Sequence, residues 1–168
     1  FTDLDHLIKN QTSGSTVDLE FNYLYFNDYD GDFVDGVVIN KTLVIDGNGF
    51  TLDGNNSVRV FNISSSVELR DLIIVNGNHT FGGAIYSTGD LKLNNVTFKN
   101  NRAVKGSAIY VVKSNNTWND LTFEGNIAEE NATVYFEGNS TVYSSKLSFS
   151  DNIIPNGLPT TKPAIIPN

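Results

Sequence analysis

A segment of 24 to 26 residues recurs four times along the chain, and this period constrains the fold more than any other feature. The copies align on a large apolar residue, and these anchors lie 24, 25 and 26 residues apart: Ile74, Phe98, Phe123 and Phe149. A second motif with the same period is Gly82-Gly83-Ala84-Ile85-Tyr86, repeated as Gly106-Ser107-Ala108-Ile109-Tyr110 and more loosely as Asn131-Ala132-Thr133-Val134-Tyr135. Two independent motifs that share one period indicate a structural repeat.

Each copy alternates apolar and polar residues with the period of a β-strand. Leu72 and Ile74 lie on one face of their segment, as do Val96 and Phe98, and Asn, Gly and Ser turns bound the segments. Repeats that contain short strands and no helix can wind into a solenoid, in which equivalent strands stack in parallel about 4.8 Å apart. The sequence therefore predicts an all-β fold, a parallel β-helix over residues 1–153, which we take as right-handed because parallel crossovers almost always are.

Stacked coils place equivalent residues of successive repeats above one another. The expected aromatic stack inside the coil is Phe98, Phe123 and Phe149, above Ile74. The expected amide ladder at a turn is Asn101, Asn126 and Asn152, whose side chains can hydrogen-bond along the axis. Trp118 occupies the position of Leu69 and Leu93, which predicts packing in the core.

The two ends of the chain differ from the repeats. In residues 1–10, Phe1, Leu4 and Ile8 share one helical face, which predicts a short helix that caps the first coil. Thr2 and Asp5 have the spacing of a capping box. Proline recurs every four residues from Pro155 to Pro167, so residues 154–168 are expected to form an extended linker or the start of another module of a longer chain.

Composition excludes several classes of partner and chemistry. The net charge of −8 disfavours nucleic acid and anionic lipid surfaces as partners. The sequence contains no run of about 20 apolar residues, the length that a transmembrane helix needs, so we expect no membrane insertion. The absence of cysteine removes thiol nucleophiles and soft-metal ligands. Nine asparagines stand in Asn-x-Ser/Thr triplets, more than the composition explains, which indicates a secreted chain and candidate N-glycosylation sites. These are Asn10, Asn40, Asn55, Asn62, Asn78, Asn95, Asn115, Asn131 and Asn139.

Few residues are candidates for catalysis or metal binding. The dense carboxylate segment from Asp28 to Asp35 fails the order of an EF-hand, and we interpret it as a solvated loop, with calcium as the alternative. His6 is expected to be a solvated helix residue and His79 a turn residue. Asp71, Asp120 and Glu124 lie near strand ends without a paired partner, so we expect no enzyme, no cofactor and no metal.

One row of aromatic residues is a candidate binding surface. By alternation with inward-facing Ile85, Ile109 and Val134, the tyrosines next to them face outward, and these are Tyr86, Tyr110 and Tyr135. A rigid aromatic strip suits glycan or protein ligands. The alternative is that the tyrosines pack beneath a neighbouring loop.

The repeat motifs are similar to those of a known group of surface proteins. Gly82-Gly83-Ala84-Ile85 and Phe98-x-x-Asn101 resemble the GGAI and FxxN repeats of polymorphic outer membrane proteins. The run from Ile39 to Gly54, followed by Arg59-Val60-Phe61, resembles adhesin-like surface proteins of methanogenic archaea. Ile74-x-x-Gly77 and Gly106-Ser107 depart from these patterns.

The resemblance implies an extracellular protein of the archaeal cell surface that attaches to other cells. We therefore expect an adhesion module, a monomeric domain of a longer chain, that binds a glycan or a protein of another cell. A passive β-helical spacer is the second interpretation. A polysaccharide-active enzyme is the third and requires a carboxylate pair that the sequence does not provide.

Overall fold

The computed structural model describes residues 1–130 and 132–154, together with the backbone of 165–166. One short helix precedes parallel strands that stack in about 5 turns of a β-solenoid. The prediction of an all-β parallel β-helix with an N-terminal capping helix is confirmed.

Helix α1 spans Thr2–Lys9, and a single 3₁₀ turn spans Gly31–Phe33. Each full coil contributes three strands. In chain order the strands are β1 (Thr16–Asp18), β2 (Tyr23–Leu24), β3 (Val37–Ile39), β4 (Leu43–Asp46), β5 (Thr51–Asp53), β6 (Phe61–Ile63), β7 (Val67–Val75), β8 (Asn78–Phe81), β9 (Ile85–Ser87), β10 (Leu91–Lys99), β11 (Arg102–Lys105), β12 (Ile109–Val112), β13 (Asn115–Glu124), β14 (Ile127–Ala128), β15 (Val134–Glu137), β16 (Thr141–Ser150) and β17 (Ile165–Ile166).

Every strand pairing is parallel, and the strands form three faces of the coil. The long sheet has the order β1-β4-β7-β10-β13-β16, in which β5 pairs with the second half of β7 and β2 pairs with β5. The second sheet contains β8, β11 and β14, and the third runs from β3 through β6, β9, β12 and β15 to β17. These are called the long sheet, the second sheet and the third sheet below.

The long strands bend at one position in each coil. Asp71, Asn95, Asp120 and Lys146 all have φ between 50° and 56° there, and the strand register skips all four of them. Asparagine and aspartate tolerate this left-handed conformation better than other side chains, which explains three of the four residues. The bend divides the outer face of the long sheet into two regions.

The core is a column of stacked apolar side chains. Phe98 and Phe123 are fully buried with ring centroids 5.2 Å apart, and Phe149 continues the stack 4.6 Å from Phe123. Trp118 is 1% exposed, pairs with Leu93 of the preceding coil, and stacks on Phe136. The predicted aromatic stack and the packing of Trp118 in the core are confirmed.

The predicted amide ladder is present and fully buried. Asn101 donates from Nδ2 to Oδ1 of Asn126 at 3.0 Å, and Asn126 donates to Oδ1 of Asn152 at 2.9 Å. Gly77 ends the ladder, because its main-chain nitrogen donates to Oδ1 of Asn101. A Cβ at Gly77 would lie 2.1 Å from the carbonyl oxygen of Gly83. This coil therefore has no room for an asparagine at the position equivalent to Asn101.

Helix α1 covers the open end of the first coil. Phe1, Leu4 and Ile8 are buried, as their shared helical face predicted. The predicted capping box of Thr2 and Asp5 is wrong, since no side chain of the helix caps its own first turn. Asp30 does so from outside: its Oδ1 accepts from both the main-chain nitrogen and the hydroxyl of Thr2, at 2.8 and 2.9 Å.

At the other end the structure describes little beyond β16. Its inward residues Val142, Leu147 and Phe149 pack on the core but are only partly buried. Pro155, Pro159, Pro163 and Pro167, on which the predicted linker rests, lie outside the described residues. Between them, Ile165–Ile166 pairs in parallel with β15.

Candidate binding surfaces

The three tyrosines form a continuous stack on the outside of the third sheet. Tyr86 and Tyr110 have ring centroids 5.6 Å apart, and Tyr110 and Tyr135 have centroids 4.9 Å apart. Ile85, Ile109 and Val134 beside them are fully buried, so the tyrosines lie on the opposite, outer face as the alternation predicted. The structure therefore brings the three predicted residues together.

Neighbouring side chains cover much of this tyrosine strip. The ring of Phe81 lies 5.2 Å from that of Tyr110, and Cζ of Arg59 lies 5.0 Å from the ring centroid of Tyr86. Tyr110 is only 6% exposed and donates its hydroxyl to Glu137. Burial, together with that hydrogen bond, raises the pKa of Tyr110. The middle tyrosine is therefore a packing residue, while Tyr86 and Tyr135 are half-buried and keep part of their surface accessible.

Arg59, His79 and Asp35 form a polar cluster at the edge of the strip. The prediction of His79 as a turn residue is wrong, because it lies in β8. Its Nε2 is 3.0 Å from Asp35 Oδ1, and its Nδ1 faces Nη2 of Arg59. Burial and the nearby guanidinium lower the pKa of His79, and burial lowers the pKa of Arg59 to about 10. Arg59 also donates to the carbonyl oxygens of Phe81 and Gly82, so this cluster fixes the corner between the second and third sheets.

A groove of about 430 Å³ runs along the outer face of the long sheet, across four coils. Its lining repeats with the period of the coil and comprises Thr42, Leu43, Val44, Ser66, Val67, Glu68, Asp90, Leu91, Lys92, Asn115 and Thr117. Within the groove, Lys92 donates to Glu68 of the adjacent coil at 3.0 Å. Sequence reasoning missed this axial groove, although the alternation that buries Leu91 and Leu93 also places Lys92 outside.

A second, more polar groove of about 440 Å³ lies at the bend of the long strands. Its carboxylates are already paired: Asp46 accepts from Arg70 at 2.8 Å, and Asp71 accepts from Asn95 at 2.6 Å. Burial would raise the pKa of Asp46, but hydrogen bonds from the main chain of Asn48 and from Arg70 hold it below its usual range.

The remaining catalytic candidates are also paired with neighbours along the axis. Glu124 accepts from Lys99 at 2.8 Å, and Asp120 lies 3.8 Å from Nζ of Lys146. His6 is exposed on α1, as predicted. These carboxylates are thus arranged as rungs between coils, each facing a cation or an amide.

The acidic segment from Asp28 to Asp35 is partly structural. Asp30 is 3% exposed and caps α1, whereas Asp28 and Asp32 are exposed. Burial would raise the pKa of Asp30, but the amino group of Phe1 and hydrogen bonds from Phe26 and Thr2 hold it at about 2. Within residues 1–130 and 132–154, no group of three or more His, Asp or Glu side chains is placed to hold a metal ion.

Comparison with known proteins finds one family. Residues 95–112 match the Chlamydia polymorphic membrane protein repeat, a stretch that contains Phe98-x-x-Asn101 and Gly106-Ser107-Ala108-Ile109. The chain therefore contains a repeat of the polymorphic membrane protein type. No curated protein and no solved structure matches the chain. None of the helices among the described residues has the length and apolar character to cross a bilayer.

Proposed function

We propose that this chain is an extracellular adhesion module of a cell-surface protein, which binds a glycan or a protein of another cell through the axial groove. The polymorphic membrane protein repeat supports a surface-exposed, adhesin-like protein. The observation that carries the choice of face is the groove itself, which continues across four coils of the long sheet.

The groove suits an extended ligand because its chemistry repeats along the axis. Coils stack about 4.8 Å apart, so a linear polymer that lies along the groove meets equivalent side chains at regular intervals. Hydroxyl, amide and charged side chains line it, whereas Leu43, Val67 and Leu91 are buried in the core beneath them. A few fixed polar groups of this kind give a binding site its specificity.

The wall residues are held in place before a ligand arrives. Lys92 is bonded to Glu68, and the main-chain nitrogen of Asn115 donates to Asp90 at 2.8 Å. Thr141 donates to the side chain of Asn115 in turn. Binding therefore loses less side-chain entropy than it would on a surface of free lysine and glutamate side chains.

A binding role is favoured over catalysis by the way the carboxylates are used. Glycoside hydrolysis needs two carboxyl groups that face one cleft, one of them protonated. Here Asp46, Glu68 and Glu124 each face a cation from the adjacent coil. We propose a non-catalytic module without a cofactor on this ground.

The accessible parts of Tyr86 and Tyr135 are a second candidate contact surface, on the third sheet. A passive spacer is the alternative function. The buried ladder of Asn101, Asn126 and Asn152 favours it, since such a ladder stiffens the coil along its axis. We also propose that exposed triplets such as Asn10 and Asn139 carry glycans in the secreted protein.

The test is binding of the labelled chain to a glycan array and to intact cells. A neutral double variant, Glu68→Ala with Lys92→Ala, removes the ion pair inside the groove. The matched control is Arg102→Ala with Glu129→Ala, which removes a 2.9 Å ion pair on the second sheet. Binding that weakens with the first pair and not the second supports the groove, and Tyr86→Ala with Tyr135→Ala tests the strip in the same way. If the folded protein shows no saturable binding, the spacer function is favoured.

A further inference from the structure

An aromatic patch lies beside α1, at the end of the solenoid remote from β16. Four large apolar side chains are exposed within nine residues: Phe21 at 50%, Leu24 at 38%, Phe26 at 51% and Tyr29 at 84%. Between them Tyr23 and Tyr25 point into the core and are 6% and 4% exposed. Alternation thus places one set of aromatics in the core and leaves a second set on the surface, where large apolar groups mark interaction sites.

The patch surrounds two adjoining cavities, of about 270 Å³ and 240 Å³. Both are lined by Asp3, Phe21 and Tyr23, and together we call them the N-terminal pocket. The larger cavity extends toward Leu24, Phe26 and Tyr29, and the smaller toward Leu7, Asp18 and Glu20. An apolar floor and an acidic wall therefore meet at Phe21.

The acidic wall lacks a positive counterpart. Asp3, Asp18 and Glu20 are exposed and form no ion pair within the described residues, and no lysine or arginine lines either cavity. Burial raises the pKa of Tyr23, and the charges of Asp3 and Glu20 raise it further. Asp46 faces Arg70 and Glu68 faces Lys92, whereas these three carboxylates line one pocket without a paired cation among the described residues.

We propose that the N-terminal pocket binds a peptide segment of a protein partner, in which lysine or arginine alternates with bulky aliphatic or aromatic residues. The aliphatic stem of a lysine or arginine packs on an aromatic ring while its cation reaches a carboxylate. Phe21 and the adjacent Asp18 and Glu20 offer both surfaces side by side. The apolar residue between two cations enters the larger cavity, beside Leu24 and Phe26.

The chemistry of the wall favours a cationic peptide over a sugar. Sugar hydroxyls both donate and accept, so a sugar site needs donors and acceptors around the ring. Ionised Asp3, Asp18 and Glu20 only accept, which suits ammonium and guanidinium groups, whose nitrogens only donate. This site is separate from the axial groove, and its partner can be tested without reference to the proposed function.

The test uses the full 168-residue chain and synthetic peptides of about eight residues, which span roughly 26 Å when extended. The probe alternates lysine with leucine, one comparison peptide has glutamate for lysine, and another has serine for leucine. Titration calorimetry is expected to show saturable binding of the first peptide alone, weakened by added salt. Amide shifts in NMR spectra are expected to change in residues 1–7 and 18–30.

Two variants separate the pocket from a general attraction of cations to an acidic protein. The first, Asp3→Asn, Asp18→Asn and Glu20→Gln together, is expected to weaken binding by about tenfold. The second, Phe21→Ser, removes the exposed ring between the cavities. The matched controls are Asp120→Asn and Tyr143→Ser, exposed residues of the long sheet, and both are expected to bind as the original chain does.

Three outcomes overturn the proposal. One is equal binding of the glutamate peptide, which shows that the acidic wall does not select the ligand. Another is binding that both variants leave unchanged, or shift changes outside the pocket. The third is that oligosaccharides, and not the lysine-leucine peptide, perturb residues 18–30, which assigns the pocket to glycan.

Discussion

Asn126 donates from Nδ2 to Oδ1 of Asn152, 2.9 Å away in the next coil, and its own Oδ1 accepts from Asn101 in the coil before. The same Oδ1 also accepts from the main-chain nitrogen of Asn101, and Nδ2 also donates to the carbonyl oxygen of Phe98. One buried side chain thus satisfies polar groups in three successive coils. Such a network is strong when complete and costly when broken.

Asn126→Ala is expected to lower the free energy of unfolding by about 3–5 kcal/mol, because it leaves several buried groups without a partner. Urea denaturation followed by circular dichroism measures the change. Asn119→Ala is the control, since Asn119 also bonds to the preceding coil but lies on the surface. It is expected to cost less than about 0.5 kcal/mol. Equal losses in the two variants contradict a special role for the buried ladder.

Gly77→Ala is expected to destabilise the fold by about 2–4 kcal/mol, because the added Cβ meets the carbonyl group of Gly83 and the main chain must move. Gly77→Asn, which restores the repeat pattern at this position, is expected to be worse. Thermal unfolding of both variants checks the order. Gly31→Ala, where an added Cβ has no atom within 4 Å, is expected to change stability by less than about 0.5 kcal/mol. A stable Gly77→Asn variant contradicts this account.

The sequence predicted the contacts that follow from the repeat period. In a solenoid, residues one repeat apart are neighbours in space, so the repeat alone placed Phe98 under Phe123 and Asn101 beside Asn126. The same logic placed Tyr86 and Tyr110 in one stack. The departures from the pattern also have physical reasons, as the absence of space at Gly77 shows.

The sequence did not predict contacts between different positions of the repeat. Asp30 caps α1 from a segment outside the periodic region, and Thr2 donates its hydroxyl to Asp30 instead of to its own helix. The contact of His79 with Asp35 joins residues 44 positions apart, one in β8 and the other just before β3, which are not equivalent positions of the repeat. The axial groove and the N-terminal pocket depend on side-chain shape, which alternation does not specify.

Tyr110→Ala is expected to lower the free energy of unfolding by about 3 kcal/mol, because the ring is buried between Tyr86, Tyr135 and Phe81. Tyr143→Ala, with a side chain that is 76% exposed, is the control and is expected to be nearly neutral. Chemical denaturation of the two variants gives the comparison. Loss of ligand binding by Tyr110→Ala at unchanged stability has the opposite meaning, namely that the tyrosine strip is a binding surface.

Stability is expected to fall as the pH is lowered below about 6.5, because His79 has a lowered pKa in the folded state. Burial and Arg59 disfavour the imidazolium, whereas the unfolded chain takes up the proton at the ordinary pKa. Asp35 opposes this effect, but the net direction is down. The unfolded state therefore binds more protons between pH 6.5 and the folded pKa, and the fold loses at most about 1.4 kcal/mol per pH unit there.

Melting temperatures between pH 5.5 and 7.5 test this link, with His79→Gln as the variant. Glutamine cannot become charged, so its curve is expected to be flatter than that of the original chain over this range. His6→Gln is the matched control, because His6 is exposed on α1 and forms no side-chain hydrogen bond within the described residues. A curve for His79→Gln as steep as the control's assigns the pH dependence to the carboxylates. A flatter curve shows that the Asp35–His79–Arg59 cluster holds the corner of the third sheet in a form that a second positive charge disrupts.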